Sequence, residues 1–239
     1  PPGGGGGRAP APRPAAAALL LSPGAGGGGA PAPAAAPGLF GDQARIGVVG
    51  LGTGTLACYA RPGQQWTIYE IDPAIADIAR TQFSFLSRCL PTAPILIGDA
   101  RLTLEQQPDN GADVLIIDAF SSDSVPLHLL TREAFESYRR HLAPNGLLMV
   151  HITNRFLTME PVIAAAARDG WSARLRRFKP DQRGLAAFQA ESIWIALSPS
   201  PVTIDRLTQP QPQLWRPLQD RRGFAPWTDD HASILSVLR

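Results

Sequence analysis

Cysteine is scarce in this chain, present only as Cys58 and Cys89. Two cysteines build no disulfide framework, and their spacing matches no metal-ligand pattern. Both are expected as reduced thiols in a cytoplasmic protein, and no metal is expected. An excess of either charge is also missing. A formal net charge of +2 is too small to suggest a nucleic-acid partner. The run Arg174–Lys179 is locally basic, but its alternation of apolar and basic residues is that of a strand with one solvated face. Long apolar runs are absent too. Ala15–Leu21 is too short to span a bilayer, so no membrane partner is expected for this chain. Arg8 and Arg13 before that run give it a faint likeness to a signal-peptide core, which its low-complexity setting explains better.

What is abundant at the start is proline, glycine and alanine. Residues 1–44 carry Arg8, Arg13 and Asp42 as their only charges. Such a segment buries too little apolar surface to offset its ordering entropy, so it is expected to be disordered. Residues 45–239 are enough for one domain with a sizeable core. The chain begins with Pro1 rather than Met, as a fragment or a processed product would.

The most informative stretch is Val48-Val49-Gly50-Leu51-Gly52-Thr53-Gly54-Thr55, with Glu70-Ile71-Asp72 after it. It reads as an apolar strand, a glycine turn, a helix start, and an acid closing a second strand. That is how an α/β sheet holds an adenosine: bare backbone approaches the ligand, and a carboxylate about 20 residues on takes the ribose hydroxyls. A dinucleotide fingerprint needs G-x-G-x-x-G, but Thr55 stands where its third glycine belongs. No Gly-Lys-Ser/Thr follows, which argues against a P-loop. The pattern G-x-G-x-G at Gly50, Gly52 and Gly54 resembles the cofactor loop of class I S-adenosylmethionine-dependent methyltransferase folds.

Strand and helix signals alternate along the rest. Strands are expected at Arg45–Val49, Trp66–Tyr69, Ile95–Ile97, Asp113–Ile117, Leu147–Ile152 and Ile193–Leu197. Helices are expected from Thr53, Pro73, Leu102, Thr131 and Met159. Asn145-Gly146 reads as a turn, and the Pro- and Gln-rich residues 199–217 as a surface wrap. Ala232–Leu238 is apolar enough to return to the fold. The alternation predicts a doubly wound, mainly parallel sheet of the Rossmann-like kind. Ligands of such sheets lie beyond the carboxyl ends of the strands, where strand order reverses. The residues at those ends are Gly50, Glu70, Asp99, Asp118 and His151, so the site should be anionic.

Glu70-Ile71-Asp72-Pro73, Gly98-Asp99-Ala100-Arg101 and Asp118-Ala119-Phe120-Ser121-Ser122-Asp123 with Pro126 resemble the spermidine synthase family. The nearest likeness is to bacterial spermidine synthase-like domains, whose relatives are often fused to a membrane transporter region. His151-Ile152-Thr153-Asn154-Arg155 and Trp227-Thr228-Asp229-Asp230 are similar to that branch as well. The resemblance implies aminopropyl transfer from decarboxylated S-adenosylmethionine to a small diamine such as putrescine, and a possible homodimer. It implies cofactor contacts at Gly50, Gly52, Gly54, Glu70, Asp72, Asp99 and Ala100. Asp118 matches the catalytic aspartate, and Asp123 the acid that holds the amine. His151 falls where the family often has a polyamine-side glutamine. Asp229 and Asp230 read better as caps of the last element.

The sequence also departs from that family. The loop lacks the family's aspartate, since Thr53 follows Gly52. Four residues separate Asp118 from Asp123, where two are usual, and residues 1–44 do not form the family's N-terminal β-hairpin domain. A methyltransferase using S-adenosylmethionine itself, and a silent cofactor-binding domain, stay open as alternatives.

Overall fold

The computed structural model describes residues 39–119, 126–182 and 191–239. Asp123, expected to hold the amine, lies outside the described residues.

Seven strands form one sheet: β1 (Arg45–Val49), β2 (Gln65–Glu70), β3 (Ile95–Ile97), β4 (Ala112–Ile117), β5 (Leu142–His151), β6 (Ser172–Phe178) and β7 (Ser192–Ser198). Their order across the sheet is β3-β2-β1-β4-β5-β7-β6. Strands β1 to β5 pair in parallel, while β7 runs antiparallel to both β5 and β6. The chain moves outward from β1 through β2 to β3, then returns to the other side of β1 with β4. The reversal of strand order therefore falls between β1 and β4. This is the Rossmann-like, class I methyltransferase type of sheet.

Side-chain alternation along each strand divides the core into two layers. Val49, Tyr69, Leu115, Ile117, Leu148 and Val150 point to one face. There they meet α3 (Ala100–Glu105), α4 (Arg132–His141) and α5 (Glu160–Ala166). Val48, Ile68, Val114, Ile116, Met149 and Trp194 point to the other face. That layer is closed by α1 (Pro73–Thr81), α2 (Phe85–Cys89) and α6 (Pro201–Thr208). Leu39, Phe40 and Ala44, which precede β1, pack against the second layer. Asp42 pairs with Arg61 at 3.7 Å.

Several sequence expectations are corrected. The helix expected from Thr53 is a short 3-10 turn, Thr55–Tyr59. The turn expected at Asn145-Gly146 lies within β5, with a register irregularity against β4 between Ala112 and Val114. Within residues 199–217, Pro201–Thr208 is a helix with Thr203, Ile204 and Leu207 buried. Pro201 fits there because the first helical turn needs no backbone donor. Cys58 and Cys89 are not separate thiols but form a disulfide, with Cα atoms 4.8 Å apart. A separation of 31 positions hides that proximity in the sequence. Among the described residues, no helix is long and apolar enough to cross a membrane.

Candidate active site

Strand register builds the site. Val48 pairs with Ile68, Val48 also with Ile116, and Ile116 with Met149. All four side chains lie in the second core layer. Two residues further along each strand the same face is reached again. Those positions are Gly50, Glu70, Asp118 and His151. Four adjoining strands thus bring a glycine, two acids and an imidazole to one edge of the sheet, at the reversal of strand order.

The glycine loop is shaped by backbone angles. Gly50, Gly52 and Gly54 have φ of 92°, 52° and 81°. Gly50 also lies against β4, where a Cβ would stand 2.4 Å from the Asp118 carbonyl oxygen. At Gly52 a Cβ would meet nothing within 4 Å, so this turn of the loop presents bare backbone to open space.

Glu70 is buried, and its carboxylate accepts two backbone N–H groups: Leu51 to Oε2 at 2.9 Å and Asp72 to Oε1 at 3.0 Å. A carboxylate offers about four acceptor positions, so capacity for a diol remains. The Asp72 carboxylate also has a structural partner. Its Oδ1 accepts from Ala74 N at 2.8 Å and caps α1, a local role at an exposed position.

Asp99 follows β3 and does two things. Oδ1 accepts from Arg101 N and Leu102 N, capping α3, while Oδ2 lies 3.2 Å from His128 Nε2. Ala100 is the first, buried residue of that helix. Arg101 reaches across to Asp229 with two hydrogen bonds, at 2.5 and 2.6 Å, and Thr131 Oγ1 bonds the same carboxylate at 2.8 Å. Those bonds from Arg101 first, helped by Thr131, hold the Asp229 carboxyl below the usual carboxylate range. The expectation that Asp229 caps the last element is therefore corrected. The 3-10 turn Ile234–Val237 has Ser233 at its cap position, and Asp229 instead fastens the C-terminal segment to α3.

Asp118 is paired with the imidazole of the edge. Its Oδ1 lies 2.7 Å from His151 Nδ1, and His151 Nε2 lies 2.6 Å from Thr153 Oγ1. The His151 ring stacks on Trp194, its cross-strand partner in β7, with centroids 4.6 Å apart and planes 16° from parallel. His128, Arg101 and Thr153 escaped the sequence reading as working parts. Arg101 and Thr153 lie inside the motifs quoted above, but their partners are set by folding rather than by spacing.

No family model matches the chain. A polyamine aminopropyltransferase of Vibrio vulnificus (strain CMCP6) is 31% identical over 119 residues, which is 48% of this chain and 38% of that protein. A probable polyamine aminopropyl transferase of Bifidobacterium longum (strain NCC 2705) is 32% identical over 124 residues, 49% of this chain and 26% of that protein. Over about half its length the chain is similar to polyamine aminopropyltransferases. Its match spans less than two thirds of either of these relatives. A probable spermidine synthase from Corynebacterium glutamicum ATCC 13032 has the same fold, with a TM-score of 0.56 and 19% identity. That likeness covers 80% of this chain and 74% of the other. The fold shared with the spermidine synthases accordingly reaches well beyond the stretch of clear sequence likeness.

Proposed function

We propose that this chain transfers an aminopropyl group from decarboxylated S-adenosylmethionine to a diamine such as putrescine. The observation that carries the reading is the Asp118 carboxylate beside the glycine loop, at the reversal of strand order, with Oδ2 accepting no hydrogen bond among the described residues. The names of the sequence relatives support it.

The residues fit such a co-substrate. Gly50, Gly52 and Gly54 give close backbone approach, Glu70 has acceptor capacity for the ribose diol, and Asp99 and Ala100, at the start of α3, are proposed to recognise the adenine. When bound, the sulfonium supplies an electrophilic aminopropyl carbon. The acceptor amine, with an ordinary pKa of roughly 10, must lose a proton before it attacks. Asp118 takes that proton on Oδ2 and holds the nitrogen lone pair in line. The new C–N bond forms as the C–S bond breaks, and its electron pair stays on sulfur. Asp123 is proposed to hold the distal ammonium as a charge-assisted partner.

Calorimetric titration with decarboxylated S-adenosylmethionine, S-adenosylmethionine and methylthioadenosine tests the reading. The decarboxylated form should bind at least about tenfold more tightly than the intact one, a difference of about 1.4 kcal/mol. Asp118→Asn should keep that affinity and lose turnover by roughly 10²- to 10⁴-fold. Equal or reversed preference points instead to methyl transfer. Tight binding without turnover in the unaltered chain identifies a silent domain.

A further inference from the structure

The hydrogen-bond chain behind Asp118 assigns a role that the proposed function does not contain. Ile193 N donates to Thr153 Oγ1 at 2.8 Å. Thr153 Oγ1 meets His151 Nε2, and His151 Nδ1 meets Asp118 Oδ1. An ionised carboxylate only accepts hydrogen bonds, so the imidazole must donate from Nδ1. A neutral imidazole then has a bare Nε2, which must accept. The Thr153 hydroxyl, 2.6 Å away, donates its hydrogen to that nitrogen, while its oxygen accepts the Ile193 amide. Every proton in the chain is thereby fixed in direction, starting from the main chain of β7.

We propose that His151 is the positioning residue of Asp118 and that Thr153 sets its tautomer. The pair ties down Oδ1 and leaves Oδ2 as the oxygen that receives the amine proton. This role rests on the aminopropyl-transfer reading. The ring is held from two further directions: Trp194 stacks on one face, and β5 pairs with β7 at His151–Trp194. A stacked, doubly hydrogen-bonded imidazole cannot turn to offer its other nitrogen without breaking both contacts. Asp118 is then oriented before any ligand arrives, and the amine meets an acceptor whose second oxygen is already committed.

The test combines tautomer and rate in the full chain. Long-range ¹⁵N–¹H spectra of the imidazole at roughly pH 8, above the ordinary imidazole range, should show the Nδ1–H tautomer in the unaltered protein and in Thr153→Ser. Thr153→Val should lose the single tautomer and reduce kcat on the order of 10²-fold, with calorimetric affinity for decarboxylated S-adenosylmethionine unchanged. Thr153→Ser should restore kcat. A merely structural threonine would lower the melting temperature of the valine variant without this split between binding and turnover. An Nε2–H tautomer in an active unaltered protein, or undiminished turnover in Thr153→Val, overturns the role and leaves the function standing. An unaltered protein that transfers no aminopropyl group overturns the function, and the role with it.

Discussion

Gly50 meets two separate demands. Its φ of 92° lies in the left-handed region that L side chains avoid, and a Cβ would collide with the Asp118 backbone. Gly50→Ala should destabilise the fold by at least about 1–3 kcal/mol, measured by chemical unfolding, and cofactor affinity should fall with it. The same position shows what a sequence reveals at the scale of one residue. Gly50, Glu70 and Asp118 were legible because each stands one step past, or at the end of, an apolar run. The partners of the acids were not. His151 lies 33 positions from Asp118, and Asp229 lies 128 from Arg101. No local pattern encodes such distances. Asp72, next to Glu70 and acidic, reads as a ligand contact, and its Oδ1 also serves the first turn of α1.

Among the elements, the disulfide has the largest consequence. It joins the 3-10 turn that leaves the glycine loop to α2, and Leu86 of α2 lies where a Gly54 Cβ would be, at 2.9 Å. The bridge therefore backs the loop from behind. Closing a segment of this length removes chain entropy equivalent to about 3–4 kcal/mol in the unfolded state. A dithiol reductant, or the Cys58→Ser/Cys89→Ser double variant, should lower unfolding stability by about 2–4 kcal/mol, read from denaturant curves with and without reductant. In a reducing cytoplasm the open form would be the working one. The element boundaries that misled were those set by tertiary packing. Pro201 looked like loop, yet Ile204 and Leu207 bury one helical face. Asn145-Gly146 looked like a turn ahead of the strand, yet Leu142 before it already pairs with β4.

At the scale of the whole molecule, two packed layers on one sheet account for nearly all of the buried side chains. That architecture was readable because β4 is apolar from Val114 to Ile117, as a strand covered on both faces must be. The edge before β1 was less so. Leu39 and Phe40 sit at the end of a Pro/Gly/Ala-rich run, but they pack against the second layer. A chain starting at Leu39 should melt with the full-length protein. One starting at Arg45 should lose about 2 kcal/mol, since two partly buried apolar side chains and the Asp42–Arg61 pair go with the segment. Paired thermal melts of the two truncations check this.

The four strand tips also set a ruler. Neighbouring strands stand about 4.8 Å apart, so Glu70 and Asp118, two strands distant from each other, are held at a pitch that loops cannot stretch. Loops may change which nucleophile arrives or what shelters it. The span between Glu70 and Asp118 is written into the hydrogen-bonded ladder, and only a molecule of matching reach can touch both.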